Sequence, residues 1–373
     1  MIVGTLREAK DNEYRVGLTP ESVRELVAHG HEVVVESHAG RGIDAPDDAY
    51  ARAGAEVVAD ADAVFEAAEL IVKVKELAPK ERGKLRADHV LFTYLHLAPD
   101  PEQTAALVAS GAICIAYETV TDRTGGLPLL RPMSQVAGRM SIQAGASALE
   151  KEHGGRGVLL GGVPGVAPGK VVIIGGGVVG MNAAQMAVGL GADVTVLDRD
   201  PAVLERLAAH FEVRAKTRFA TRAVVEETVA GADLVVGAVL VPGARTPRLV
   251  SRAMLATMQP GAVLVDVAID QGGCFETSQP TTHAAPTYVE GGIVHYCVAN
   301  MPGAVARTST YALNNATLPH VLAIADLGWR DAMRADPHLR AGLNVHAGRI
   351  TNAAVAEALG FAATDADEIL EWA

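Results

Sequence analysis

At 373 residues the chain is too long for one ordinary core and fits about two domains. Apolar residues make up 49% but aromatics only 4%, so Ala, Val, Leu and Ile must do most of the packing. The 44 acidic against 32 basic side chains give a net charge of −12, which repels phosphate backbones and argues against a nucleic-acid partner.

There is no run of about 18 apolar residues, so no membrane span is expected. The opening MIVGTLREAKDNEYR lacks the apolar stretch of a secretory signal. Three cysteines without pair spacing, Cys114, Cys274 and Cys297, point to a reducing, cytoplasmic setting, not to a disulfide framework or zinc site.

Short apolar runs alternate with helical patterns, the signature of βαβ units and parallel sheets. Ile2 to Thr5 is a first strand. Thr19-Pro20 reads as a helix N-cap followed by proline at the first helical position, and Gly30 stops that helix after about His29. Strands follow at Glu32 to Glu36, Leu70 to Val74, Val90 to Leu95 and Ala112 to Tyr117. Ser134 reads as the N-cap of a long amphipathic helix ending near Glu150. The glycine-rich GGRGVLLGGVPGV that follows reads as a boundary loop, and a second α/β series runs from Lys170 to about Val298. From Thr308 onward the tail reads as helices, with Leu343 to Leu359 supplying apolar faces. The expected fold is α/β, with two Rossmann-like lobes built on parallel sheets.

VVIIGGGVVG carries the most information. Val171 to Ile174 is a buried-strand pattern, Gly175, Gly177 and Gly180 complete G-x-G-x-x-G, and a helix runs from Val178 to about Leu190. The next strand, Val194 to Leu197, ends at Asp198, about 20 residues beyond the first glycine, as a dinucleotide fingerprint requires. The glycines allow a tight turn, close approach of a pyrophosphate, and close helix–strand packing. The helix start offers unpaired N–H groups to the phosphates. Asp198 suits a ribose 2′-hydroxyl and repels a 2′-phosphate, which favours NAD over NADP, although neighbouring Arg199 could serve such a phosphate. A nucleotide-free βαβ turn is the bland alternative, and the full order of strand, motif, helix, strand and acid speaks against it.

Ala232 to Ala238 and Ala262 to Ile269 read as further strands, the second ending at Asp270 beside two glycines. Lys73 and Lys75 alternate in IVKVKE and so share one face of a strand, as a solubilised edge strand also would. His96 closes the run LFTYLH, and Arg15 lies in the polar loop DNEYR; singly, each reads as structural or as surface. Together Arg15, Lys75, His96 and Asp270 form a set at strand or loop ends that suits a small anionic substrate held in a cleft.

The blocks REAKDNEYRVGLTP, VKVKE, LFTYLHLAP, AYETV, LPLLRPMSQVAGR, GGVPGV, VLVPGA, VDVAIDQGGCFE and VANMPGAVARTSTYALNNATLP resemble bacterial alanine dehydrogenases over nearly the whole chain. The NAD-binding subunit of proton-pumping transhydrogenase is the related family. The resemblance implies an NAD-binding lobe (131–305) inserted into a substrate lobe (1–130 and 306–373), a helical C-terminal tail, and a homo-oligomer, usually a hexamer. It implies reversible, NAD-dependent oxidative deamination of L-alanine to pyruvate and ammonia.

By the same resemblance, Arg15 and Lys75 match the substrate-holding pair, and His96 and Asp270 the acid/base residues. Met133, Ser134, Gly175, Gly177, Val178, Val179, Gly180, Asp198, Val239, Leu240, Val267, Asp270, Val298, Asn300 and Met301 match cofactor-lining positions. The chain departs from some relatives at Val203, Ala220 and Gln279, where they carry a basic residue, Ser and Arg. It has Ala323 and Leu327 where some hold a metal with an acid and a histidine, so no metal is expected. Two alternatives stay open: a transhydrogenase subunit, which would carry a linker beyond the tail helices, and a non-catalytic NAD-binding regulator, which would not need the acid/base set.

Overall fold

A computed structural model describes residues 1–239 and 246–371. The chain divides into two compact units, Met1–Met133 with Val305–Ala373, and Ser134–Ala304.

The first unit opens with β1 (Ile2–Thr5), β2 (Glu32–Glu36), β3 (Glu56–Val58), β4 (Leu70–Val72), β5 (Val90–Thr93) and β6 (Ile113–Ala116). They pair in parallel in the order β3-β2-β1-β4-β5-β6. Central strands such as β4 and β5 are buried throughout, which is why they read as continuous apolar runs rather than alternating ones. The helix Pro20–Ala28 is capped as its sequence predicts: Thr19 Oγ1 accepts from the Ser22 amide at 3.2 Å, and Gly30 turns the chain at φ +87°.

A helix spans Arg131–Ala148, so Ser134 lies in its first turn instead of capping it. Beyond it the second unit holds β7 (Lys170–Ile174), β8 (Asp193–Asp198), β9 (Ala215–Phe219), β10 (Leu234–Gly237), β11 (Val263–Asp266), β12 (Thr287–Glu290) and β13 (Ile293–Tyr296). The order is β12-β13-β11-β10-β7-β8-β9. The six parallel strands of each sheet share one doubly wound order, with a reversal beside the first strand of each. The glycine-rich stretch 154–166 lies inside this unit and is not a boundary: Arg156 N donates to Gly261 O at 2.9 Å, and Gly169 N to Leu160 O at 3.0 Å.

The sheets depart from purely parallel at their edges. β12 runs antiparallel to β13. In the tail, the helices Ala306–Leu327, Trp329–Ala335 and Pro337–Arg340 give way to β14 (Leu343–His346) and β15 (Arg349–Ile350) before the helices Ala353–Leu359 and Ala366–Glu371. β14 pairs antiparallel with β6, and β15 with β14. The stretch expected to be helical from Leu343 thus begins as a hairpin. Ala347 and Gly348 at φ +47° and +80° make its tight turn. The hairpin covers the open edge of β6, and Val345 and Ile350 join the core of the first unit with Val355 and Ala356. Among the described residues, no helix is long and apolar enough to cross a membrane. Cys114, Cys274 and Cys297 are all buried free thiols.

Candidate active site

In the first unit, Arg15, Lys75 and His96 follow β1, β4 and β5, the strands at and beside the reversal of the sheet, where open α/β sheets bind ligands beyond their carboxyl ends. β4 stops at Val72, so Lys73 and Lys75 lie past the strand rather than along it. They do not share an environment. Lys73 is fully buried, its Nζ 3.3 Å from Glu8 Oε2 and 3.8 Å from Glu81 Oε2. Lys75 is only partly buried. Burial lowers its pKa, and the neighbouring Arg15 guanidinium lowers it further.

Glu8, just beyond β1, ties this corner together. Its carboxylate accepts from the amides of Val74 at 2.7 Å and Lys75 at 3.4 Å. Burial raises the Glu8 pKa against the opposing pull of Lys73. Arg15 is 2% exposed. Its Nε donates to Glu13 Oε1 at 2.6 Å, its Nη2 to Glu13 Oε2 at 2.5 Å, and its Nη1 to Met133 Sδ at 3.0 Å. Burial opposes the Arg15 charge, but the hydrogen bonds that Arg15 donates to Glu13 and the charge of that carboxylate outweigh it and hold the guanidinium protonated.

His96 is exposed at φ +48°, and its ring stacks on Tyr94, 5.8 Å between centroids. The turn that presents it is held by Glu118, whose carboxylate accepts from the His96 amide at 2.6 Å and the Leu95 amide at 3.1 Å. Tyr94 lies close enough to Arg15 for each to perturb the other electrostatically, which links the histidine to the arginine.

In the second unit, the glycine turn leads from β7 into the helix Val178–Gly189. Gly175 sits at φ +104°, and a Cβ on Gly180 would lie 1.7 Å from Gly175 O, so only glycine closes this turn. A Cβ on Gly177 would meet nothing within 4 Å, and Gly177 and Val178 are exposed at the helix start, while Val179 turns into the core. That is the open, N–H-rich face a pyrophosphate needs, so the residues fit a dinucleotide. Asp198 ends β8 and supports the same turn: its Oδ2 accepts from the Gly176 amide at 2.6 Å. Arg199 turns away, its Nε donating to Ala220 O at 3.4 Å.

Among the remaining cofactor candidates of this unit, Val239, Val267 and Val298 also follow strand ends. Val239 comes after β10, and its Cγ2 would lie 3.0 Å from a Cβ on Gly175. Val267 donates its amide to Gly237 O at 3.0 Å. Val298 bridges to Thr281 past β13. Asn300 at φ +64° accepts at its carbonyl from the Gly303 amide at 2.9 Å, and Met301 is buried. Ser134 is partly buried in the helix Arg131–Ala148. Leu240 lies outside the described residues. Asp270 does not end a strand as its sequence suggests: β11 stops at Asp266, and Asp270 is exposed in a 3₁₀ turn, Ile269–Gln271.

Glu8, Glu13, Glu118 and Asp266 are the carboxylates that the reading of the sequence did not single out. Glu13 sits in the loop DNEYR and Glu118 in the block AYETV, but nothing in those letters says which backbone amides or guanidinium they face.

Family models for the alanine dehydrogenase/PNT N-terminal and C-terminal domains match residues 4–137 and 141–353. A Halomonas elongata protein described as alanine dehydrogenase is 58% identical over 370 residues, 99% of this chain and all of that protein. A solved L-alanine dehydrogenase structure, 51% identical, superposes with a TM-score of 0.94 over 96% of this chain and 99% of its own. A transhydrogenase structure from Sinorhizobium meliloti is 28% identical with a TM-score of 0.81, over 95% of this chain and all of its own. Two domain models laid end to end, and likeness over the full length in both sequence and structure, place this chain in the alanine dehydrogenase/PNT family.

Proposed function

We propose that the protein is an L-alanine dehydrogenase that interconverts L-alanine and water with pyruvate and ammonia, using NAD as its pyridine nucleotide. The observation that carries this reading is the placing of Arg15, Lys75 and His96 beyond the carboxyl ends of β1, β4 and β5 at the reversal of one sheet. In this reading residues 1–130 and 306–373 handle the substrate and residues 131–305 hold NAD.

NAD⁺, when bound, accepts the hydride from Cα of alanine. Arg15 holds the substrate carboxylate with donors that are fixed in direction by Glu13. The Lys75 ammonium stabilises negative charge developing on the substrate oxygen. His96 moves protons to and from the amine and water, and Asp270 orients the attacking water and shares that proton traffic. Gly175 to Gly180 hold the pyrophosphate. Asp198 accepts from a ribose hydroxyl, and the other cofactor residues named above line the nucleotide, with Met133 and Asn300 toward the nicotinamide. The buried free thiols suit a cytoplasmic protein. The protein assembles as a homo-oligomer, a hexamer, for which the exposed apolar residues Leu159, Val163 and Val166 offer contact surface.

The deciding experiment mixes the purified protein with L-alanine and NAD⁺ and follows NADH absorbance with no other protein present. Steady turnover is expected. A protein that binds NADH but shows no alanine-dependent reduction would instead fit the transhydrogenase subunit, which hands hydride to another partner.

A further inference from the structure

β11 ends at Asp266, a fully buried carboxylate, and the segment after it folds around that one side chain. Asp266 Oδ1 accepts from the Ala268 amide at 3.1 Å. Its Oδ2 accepts from the amides of Cys274 at 2.8 Å and Phe275 at 3.4 Å, and from the Ser278 hydroxyl at 2.5 Å. The returning chain passes so close that a Cβ on Gly273, itself at φ +80°, would lie 2.6 Å from Oδ2. Between the two anchored ends runs the 3₁₀ turn Ile269–Gln271, which presents Asp270 to solvent. That turn is closed by Gln271 N to Ala268 O at 2.9 Å and Gly273 N to Ala268 O at 3.1 Å.

Buried amides must find acceptors, and four donors converging on one side chain need both oxygens of an ionised carboxylate. Burial raises the Asp266 pKa above the ordinary carboxylate value, and the hydrogen bonds from the Ser278 hydroxyl and the three amides, which favour the ionised form, offset that rise only in part. An amide in its place offers a single acceptor and turns an NH₂ group toward N–H donors. The loop would keep its path only approximately, and a misplacement of about 1 Å can cost roughly 100-fold in rate.

We propose that Asp266 is the positioning residue for Asp270, fixing the turn that aims the exposed carboxylate from the end of β11. This rests on the reading of Asp270 as an acid/base group. Asp266 acts through its neighbour and does not itself meet the substrate.

The test is a cycle of Asp266→Asn, Asp270→Asn and the double variant, assayed for alanine oxidation, with amide hydrogen exchange on each. Asp266→Asn is expected to lower kcat by about 10- to 100-fold with KM for alanine changed by less than about threefold. The double variant should fall no more than about threefold below Asp270→Asn alone, because the second change removes a function already lost. Amides of residues 268–275 should exchange faster in Asp266→Asn, while those of the helix Val178–Gly189 stay as in the parent.

Near-normal kcat in folded Asp266→Asn, or a double loss equal to the product of the single losses, overturns the positioning role alone. Near-normal turnover in Asp270→Asn removes the reading of Asp270 and the proposal with it, a pattern distinct from the first. Should Asp266→Asn fail to fold, Ser278→Ala removes one donor only. It should lower kcat several-fold in the parent and have no effect in the Asp270→Asn background; an equal loss in both backgrounds overturns the proposal.

Discussion

Glu13 grips Arg15 along one edge of the guanidinium, with Nε and Nη2 each within 2.6 Å of a carboxylate oxygen. The resemblance gives Arg15 a substrate-holding role, and in the fold one edge of its guanidinium is taken by Glu13. The pair is buried, so removing one partner leaves the other charged and poorly satisfied. Glu13→Gln should therefore raise KM for pyruvate by about 10-fold or more. Arg15→Lys, which keeps the charge but loses both the Glu13 grip and the remaining donors, should raise it further. Steady-state kinetics with NADH fluorescence titration checks both. NADH affinity should stay within about twofold, and an unchanged KM in Arg15→Lys would remove Arg15 from substrate binding.

Lys75 titrates below the ordinary lysine range, because burial and then Arg15 disfavour its charge. The ammonium, the form that stabilises a developing negative oxygen, is present below that lowered pKa and lost above it. kcat/KM for pyruvate should fall on the alkaline side at a pH below the usual lysine value. Lys75→Gln should abolish that alkaline limb together with most activity. The linkage runs the other way for folding: between the folded and the higher unfolded pKa the unfolded chain binds more protons, so this group's contribution to stability improves as pH rises through that window. A pH–rate profile with no alkaline limb below the usual lysine range would count against the role given to Lys75.

The glycine turn leaves no room for a side chain at position 180. Gly180→Ala puts a Cβ 1.7 Å from Gly175 O, so the turn must open, and NADH affinity should drop by about 10-fold or more. Asp198 tests the other end of the nucleotide. A 2′-phosphate beside this carboxylate should bind about 100-fold more weakly than a 2′-hydroxyl. Parallel titrations with NADH and NADPH measure both effects. Equal affinities would mean that Arg199, which leans on Ala220 O, has swung round to the phosphate.

His96 is held by its own backbone amide on Glu118, with its ring left exposed over Tyr94. General acid–base help is worth about 100- to 10,000-fold, so His96→Ala should lower kcat by at least the lower figure while NADH still binds. Glu118→Gln keeps a hydrogen-bonding side chain in place but weakens its grip on the Leu95 and His96 amides, and a smaller loss, roughly 10-fold, is expected. Normal turnover in His96→Ala would take the imidazole out of the chemistry.

Local letters determined a good deal. The strand, G-x-G-x-x-G, helix, strand and acid order specified the nucleotide turn, because each feature acts within a few residues: a φ only glycine tolerates, a helix start, a strand end. Thr19, Pro20 and Gly30 bounded the first helix for the same reason. What those letters could not supply was partnership across sequence distance. Glu118 meets His96 from 22 positions away, and Glu8 meets Val74 from 66, because neighbouring parallel strands bring loop ends together that the chain keeps apart. Asp266 reads in the sequence as an interior residue of the run Ala262 to Ile269, and only the fold shows that the strand stops there and that the returning segment 274–278 supplies its donors. The tail hairpin β14–β15 was decided in the same way. Leu343 to Ile350 can satisfy helix or strand patterns by itself, and the open edge of β6, with a core ready to take Val345 and Ile350, selects the strands. Even the shared strand order of the two units left no repeat in the sequence. A doubly wound sheet asks only for buried apolar strands and right-handed crossovers, which very different sequences supply equally well.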